Sequence, residues 1–472
     1  MLFNSYEFLI FFPLVTILFY LLPYKYRWLH LLAASCYFYM FFIPQYILIL
    51  LVTIIIDYAA GIFIEKETNL KRRKTWLVVS IISTVSVLFI FKYFNFFNQN
   101  ILELSHILGF YYPEKFISIA LPIGLSFHTF QSLSYVIEVY RGKQKAEKHF
   151  GIYSLYVMFY PQLVTGPIER PQNLLRQLRE IQKFDYSNLR DGLRLIIWGL
   201  FVKMVIADNL GSYVDQIYTN PTEHSSLSIA IGLIFYSFQI YGDFFGYSTI
   251  AIGCAKAMGF NLIDNFKNPY HSQSISEFWQ RWHISLSTWF RDYVYFSLGG
   301  NRVKISRWMI NIIIVFALSG LWHGANWTFV AWGLAHGLLY ILETLINKIL
   351  PQNGNPSRLF TTIKKSILIL KNFIFVTLIW VLFRSVDIAH VKNIFTSLVN
   401  NINVQDNFTV KPIHWFFLVF FLVIDNFLKD TRFDKWTSNI PLLARWSVYL
   451  LLIYFTITFS SVVSYPFIYF QF

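Results

Sequence analysis

Residues 46–63 read YILILLVTIIIDYAAGIF and hold a single charged side chain, Asp57. As a helix this run rises about 27 Å, close to the ~30 Å hydrocarbon core of a bilayer. Its apolar residues are continuous rather than alternating, which excludes a transmembrane β-barrel. The rest of the chain agrees. Of 472 residues, 56% are hydrophobic, 20% aromatic and 14% charged, against about 25% charged in a soluble domain. Mean hydropathy is +0.49. With Gly at 21 and Pro at 15, collagen and low complexity are excluded, and the apolar content excludes disorder. The chain reads as all-α, a polytopic transmembrane helical bundle.

Apolar blocks place spans at roughly 6–22, 29–43, 46–63, 77–93, 116–138, 192–210, 227–247, 308–321, 326–347, 366–383, 413–428 and 445–463. That gives about 11–13 spans once broken and re-entrant segments are allowed for. The first block, Phe8 to Leu22, lacks a basic leader and a cleavage site, so it reads as a retained span and not a signal peptide. No linker or repeat divides the sequence, so residues 1–472 are expected to form one integral domain. The basic loops set orientation. Lys25 and Arg27, the run Lys66 to Lys74, Arg141 to Lys148, Lys364 with Lys365, and Lys429 to Lys435 all fall on the cytoplasmic side of a consistent count. Both termini are then expected outside the cytoplasm.

Lys+Arg 39 against Asp+Glu 25 gives a net charge of +14. In a soluble protein this would suggest nucleic acid. Here the basic residues lie in short loops and serve topology, so no nucleic-acid partner is expected. Cys36 and Cys254 can form neither a disulfide framework nor a CxxC metal site, and both read as packing residues. The sequence carries no Walker A, GxGxxG, HExxH or GxSxG motif. No resident cofactor or metal is expected.

Two stretches depart from simple crossings. In 151–195, the prolines and the glycine of segment 159–171, in an apolar setting, suggest a re-entrant loop lining a cavity. The basic amphipathic segment that follows is suited to a membrane surface. Residues 264–307 are too polar for lipid and too aromatic for a free loop, so they are expected at the interface or against the bundle.

Polar residues at membrane depth are costly and point to function. The leading candidate is His323, in SGLWHGANW (319–327), between two apolar runs and flanked by Gly320 and Gly324. The glycines permit close backbone approach or an unwound turn. The second is His283, in EFWQRWHISLSTWFRDY (277–293), with Trp279, Arg281, Trp282 and Trp289. Read blandly, His323 is a histidine hydrogen-bonded between helices and 277–293 an aromatic belt with snorkelling arginines. Asp243, in YGDFFGY (241–247), reads first as a structural ion-pair partner for an arginine of 281–291. His128, Gln131, Gln239 and His336 are further polar residues in apolar runs. For His336, packing or a hydrogen bond is the simpler reading.

The pair FWQRWHISLSTWFRDY (278–293) and LWHGANWTFVAWG (321–333) resembles the membrane-bound O-acyltransferases. The branch is the bacterial one typified by the membrane subunit of alginate O-acetylation. Also similar are the opening Met1 to Ser5 with Phe8 to Pro13, PIGLSF (122–127), the Gly166-Pro167-Ile168 turn and the closing PFIYF (466–470). One departure stands out. The branch often reads Tyr-Cys-Asp-Phe-x-Gly-Tyr-Ser/Thr-Asp, where this chain has Gly242 for the cysteine and Thr249 for the second acid.

The resemblance implies helices around a central membrane tunnel. It matches His323 to the family's essential histidine and His283 to its second polar position. It implies acetyl transfer from a cytoplasmic thioester, acetyl-CoA, to an extracytoplasmic polysaccharide (alginate-like or peptidoglycan). An extracytoplasmic acetyltransferase- or esterase-like partner protein would complete the transfer, and the bacterial cytoplasmic (inner) membrane would be the location. On this reading His323 accepts the hydroxyl proton and His283 orients the acceptor or donates to the oxyanion. Trp279, Arg281, Trp322, Asn326 and Asp243 are expected to line the tunnel or shape the donor side. An acyl-histidine intermediate stays open. Two alternatives stand beside it: D-alanyl transfer to teichoic acid from a carrier-protein thioester, and a transporter or flippase without acyl chemistry.

Overall fold

The computed structural model describes residues 1–472 except 115, 117–121, 165, 350–357, 407–409, 429–430, 461–465 and 469–472. Part of the expected 116–138 span, Lys429, and Tyr469 and Phe470 of the closing segment therefore lie outside the described residues. Among those described, every regular element is helical. The chain divides into two compact units, Met1–Ile196 with Ser248–Ile263, and Ile197–Tyr247 with Asp264–Phe472.

The first unit contains α1 (Tyr6–Leu21), α2 (Tyr24–Met40), α3 (Tyr46–Lys66), α4 (Leu70–Leu88), α5 (Phe94–Leu108), α6 (Leu125–Tyr140), α7 (Phe150–Met158), α8 (Tyr160–Leu163) and α9 (Pro171–Arg179). The ends follow local chemistry. Ser5 accepts the Phe8 N–H to start α1, and Asn69 accepts the Lys71 N–H at 2.9 Å to start α4. Pro23 lies between α1 and α2, at the N-cap of α2. Asp57, the lone acid of the opening run, is fully buried. Its carboxylate accepts from Ser80 Oγ at 2.5 Å and from Thr84 Oγ1 at 3.0 and 3.1 Å. Hydroxyls on α4 thus replace the water this group gives up. One turn on, Gly61 lets α6 approach α3, since a Cβ there would stand 2.7 Å from the Tyr135 ring.

Within 159–171, α8 is a single turn at Tyr160–Leu163 and α9 begins at Pro171. Gln162, Leu163, Pro167 and Ile168 line a small cavity with Phe127, His128, Gln131 and Val157. Glu169 is buried and accepts from Ile263 N at 2.6 Å and Asn173 Nδ2 at 2.7 Å. Then α9 turns Leu174, Leu175 and Leu178 inward, while Arg179 pairs with Glu147.

Two helices, α10 (Tyr186–Phe201) and α12 (Ser226–Ala257), contribute residues to both units. The second unit adds α11 (Asp208–Thr219), α13 (Ile275–Arg281), α14 (Ile284–Phe290), α15 (Ile305–His323), α16 (Trp327–Ile349), α17 (Arg358–Arg384), α18 (Ile388–Asn400), α19 (Pro412–Phe427), α20 (Phe433–Asn439) and α21 (Leu442–Phe459).

Seven helical runs among the described residues are long and apolar enough to cross a membrane: Tyr46–Lys66, Leu70–Leu108, Ser226–Ala257, Ile305–His323, Trp327–Ile349, Thr361–Arg384 and Leu442–Phe459. Tyr6–Leu21 and Pro412–Phe427 are shorter apolar helices. Three expected blocks differ in extent. The 29–43 block belongs to α2, whose first turns carry Lys25, Arg27 and His30. The 77–93 block runs on through a π-helical turn at Phe89–Tyr93 into α5. The 192–210 block is interrupted by a π-helical turn at Val202–Ala207, which carries Lys203.

Candidate active site

The site lies in the second unit, on an antiparallel pair of helices. α15 and α16 meet through glycines. A Cβ on Gly320 would stand 2.2 Å from the Phe329 carbonyl oxygen, and one on Gly333 would stand 2.2 Å from that of Phe316. Only hydrogen fits at these two crossings. Lower down, Trp308, Ile312, Phe316 and Ile341 close the same seam with an apolar cluster. α15 ends at His323 because Gly324 turns extended (φ −159°, ψ 149°). The histidine is therefore the last helical residue. It is 3% exposed, with its ring against Trp322 (4.8 Å between centroids), Trp332 (4.9 Å) and Phe383 (5.2 Å).

His283 also packs against Trp322, at 6.3 Å between centroids. It occupies the tight bend between α13 and α14 with φ +43°, a left-handed conformation uncommon for a residue with a Cβ. The bend is fixed by Asn265. Its carbonyl accepts from Ile284 N at 2.9 Å, and its side-chain Oδ1 accepts from Ser285 N at 3.2 Å and Ser285 Oγ at 2.7 Å. His283 caps α14 itself, since Nδ1 accepts from the Leu286 N–H at 3.4 Å. That bond assigns the tautomer: with Nδ1 an acceptor, the proton of the neutral ring sits on Nε2 and makes it a donor. The side chain is fully buried, and burial pushes its pKa down to about 3. The ring is neutral at physiological pH. The Phe244 ring meets it near-perpendicularly at 4.6 Å.

Both histidines therefore share Trp322 as a neighbour. Trp279 packs against Trp332 (5.7 Å), Phe316 (5.4 Å) and His336 (5.1 Å). His336 is buried in an aromatic cage. It packs against Trp332 at 5.1 Å, lies parallel to Phe278, and has no hydrogen-bond partner for either ring nitrogen among the described residues. Packing, the simpler expectation for His336, describes it. Arg281 is engaged locally: Nε donates to Glu277 Oε1 at 2.9 Å and Nη1 to the Lys267 carbonyl at 3.1 Å. Asn326 Nδ2 donates to the Val386 carbonyl at 2.7 Å, and its Oδ1 accepts from Thr328 N at 3.0 Å.

Asp243 corrects one expectation. It pairs with no arginine of 281–291, because Glu277 and Asp292 hold Arg281 and Arg291. Its partner is Lys203, whose Nζ lies 2.5 Å from Asp243 Oδ1 and 2.6 Å from Asp208 Oδ1. All three side chains are buried. Sequence reasoning missed Lys203 and Asp208, although an ionisable residue inside the apolar 192–210 block was the signal that could have found them. It also missed Phe244 and Asn265, whose roles depend on a bend no local pattern announces. Cys254 is buried and Cys36 half-buried.

Residues 147–385 match the membrane-bound O-acyltransferase family. The chain is 37% identical to the probable alginate O-acetylase AlgI of Pseudomonas aeruginosa over 390 residues, covering 82% of this chain and 72% of the relative. It is 33% identical to the peptidoglycan O-acetyltransferase of Helicobacter pylori over 79% of this chain and 73% of that one. It is 28% identical to the teichoic acid D-alanyltransferase of Bacillus subtilis over 57% and 68%. The family match, the extent of these alignments and the apolar helices together place this multi-pass membrane protein, an O-acyltransferase, in the membrane-bound O-acyltransferase family.

Proposed function

We propose that this protein transfers acetyl from acetyl-CoA, taken up on the cytoplasmic side, through a tunnel in the bacterial cytoplasmic membrane. The acceptor is a hydroxyl of an extracytoplasmic polysaccharide or of a partner protein that serves it, and both chain termini lie outside the cytoplasm. The observation that carries the reading is the pair of buried histidines whose rings both pack against Trp322. One of them, His283, has its tautomer fixed as a donor. His323 accepts the acceptor's O–H proton as its oxygen attacks the thioester carbonyl. His283 Nε2–H donates to the oxyanion of the tetrahedral intermediate. The C–S bond then breaks, His323 returns the proton to the thiolate, and free coenzyme A leaves. Trp322, Trp332 and Phe383 exclude water, which would otherwise compete as acceptor.

The similarity to alginate and peptidoglycan O-acetylases, higher than to the D-alanyltransferase, favours acetyl. The test is free thiol released from acetyl-CoA by the purified chain, with and without a polysaccharide acceptor. A D-alanyl carrier-protein thioester is offered in parallel. Turnover of the carrier thioester alone would replace acetyl by D-alanyl. Substrate flux in liposomes without thiol release would replace the enzyme by a transporter.

A further inference from the structure

The Lys203–Asp208–Asp243 cluster has no step in this reaction. Three ionisable side chains, each no more than 6% exposed, are nonetheless held in the second unit at 2.5 and 2.6 Å. Such a group contributes little net stability, because the desolvation cost offsets the attraction, and packed apolar side chains would serve as well. What it does provide is fixed geometry, and the neighbouring contacts indicate what is being fixed. Asp243 uses its second oxygen, Oδ2, to accept from the Ile468 N–H at 2.7 Å. This ties residues 466–468 against α12. The adjoining Phe467 is fully buried against Tyr247 (5.0 Å) and Phe244 (5.5 Å). Lys203 Nζ also faces the Tyr247 ring at 5.4 Å. Phe244, next in sequence to Asp243, packs against Phe467 and Phe266 (5.0 Å) and meets the His283 ring near-perpendicularly at 4.6 Å. The ion cluster holds α12 and the 466–468 segment, these hold Phe244, and Phe244 is the wall against the imidazole. That ring also packs against Trp322, and its backbone sits in a left-handed bend that needs outside support.

We infer that the Asp243–Lys203 pair, acting through Phe244, is a positioning device for His283. The kinetic consequence rests on the function proposed above; the structural one does not. The experiment uses the full chain in detergent with Asp243→Asn and Phe244→Leu. The first keeps an acceptor for Ile468 N–H but removes the charge facing Lys203, and the second keeps apolar bulk but removes the ring. Since a 1 Å misplacement costs about 100-fold in rate, kcat for thiol release should fall by about that factor while KM for acetyl-CoA stays within about twofold. Asp243→Glu should recover part of the loss. In parallel, diethyl pyrocarbonate labelling is read by peptide mass spectrometry. His283 is protected in the wild type and labelled in both variants, while His336, buried elsewhere in the unit, stays protected in all and reports an intact fold. Protection of His283 in both variants overturns the inference, as does a change confined to KM. If the wild type shows no His323-dependent thiol release, the functional reading fails while the labelling still decides the positioning claim.

Discussion

The crossing of α15 and α16 permits a worked prediction for Gly320→Ala. The added Cβ would stand 2.2 Å from the Phe329 carbonyl oxygen, about 1.2 Å short of ordinary contact at 3.4 Å. The obstacle is backbone, so it cannot rotate away. The Gly333 Cα (3.3 Å from the same point) blocks a sideways escape. The helices must separate by about 1 Å, and overpacking of this kind costs about 1–3 kcal/mol. The same shift moves Trp332, on α16, relative to His323, on α15, which now stand 4.9 Å apart. A 1 Å displacement in an active site lowers the rate about 100-fold, or about 2.7 kcal/mol of activation free energy. The assay is thiol release from acetyl-CoA by purified protein, with thermal unfolding in the same detergent. Leu318→Ala, on an exposed part of the same helix, is the control and should leave the rate unchanged. Gly320→Ala protein with the wild-type rate would refute the reasoning, because it would show that this close approach does not set the position of His323.

His283→Asn should fold, since asparagine tolerates the left-handed bend and can cap α14 through Oδ1. It should lose about 100-fold or more in kcat, the usual cost of removing one oxyanion donor, as read in the thiol assay against thermal stability. The burial of His283 also predicts a pH effect. A pKa held near 3 against an ordinary 6.5 means that the unfolded chain binds the extra proton between those values. This contribution to stability is complete above pH 6.5 and is lost as pH falls toward 3. Over that window the melting temperature of His283→Asn should fall less steeply than that of the wild type. Lys203→Met leaves Asp208 and Asp243 buried without their cation and should destabilise by about 3–5 kcal/mol. The Lys203→Met, Asp208→Asn double variant should recover part of this in thermal unfolding.

Much of the fold was legible in the sequence because continuous apolar runs have few structural solutions. Tyr46–Lys66 and Ile305–His323 lie close to where their composition put them. The placement of His323 was legible too: it is buried at the end of its helix, and both flanking glycines meet backbone or ring. Asp243 was legible as an ion-pair partner but not as the partner of Lys203. Charge pairing is decided across helices, and the nearer arginines had already been satisfied at i,i+4 or by an adjacent acid. The bend at His283 was not legible at all. Its positive φ depends on Asn265, eighteen residues away, accepting three hydrogen bonds. Span ends were blurred for a local reason, because π-helical turns at Phe89–Tyr93 and Val202–Ala207 leave the hydropathy pattern unbroken while changing the helix.

The central claim is that His323 carries thioester chemistry in a buried aromatic site. The most direct test is release of free coenzyme A from acetyl-CoA by the purified chain, with His323→Ala measured beside it at matched folding. The account predicts release by the wild type and none above background by the variant. Equal release by both would contradict it.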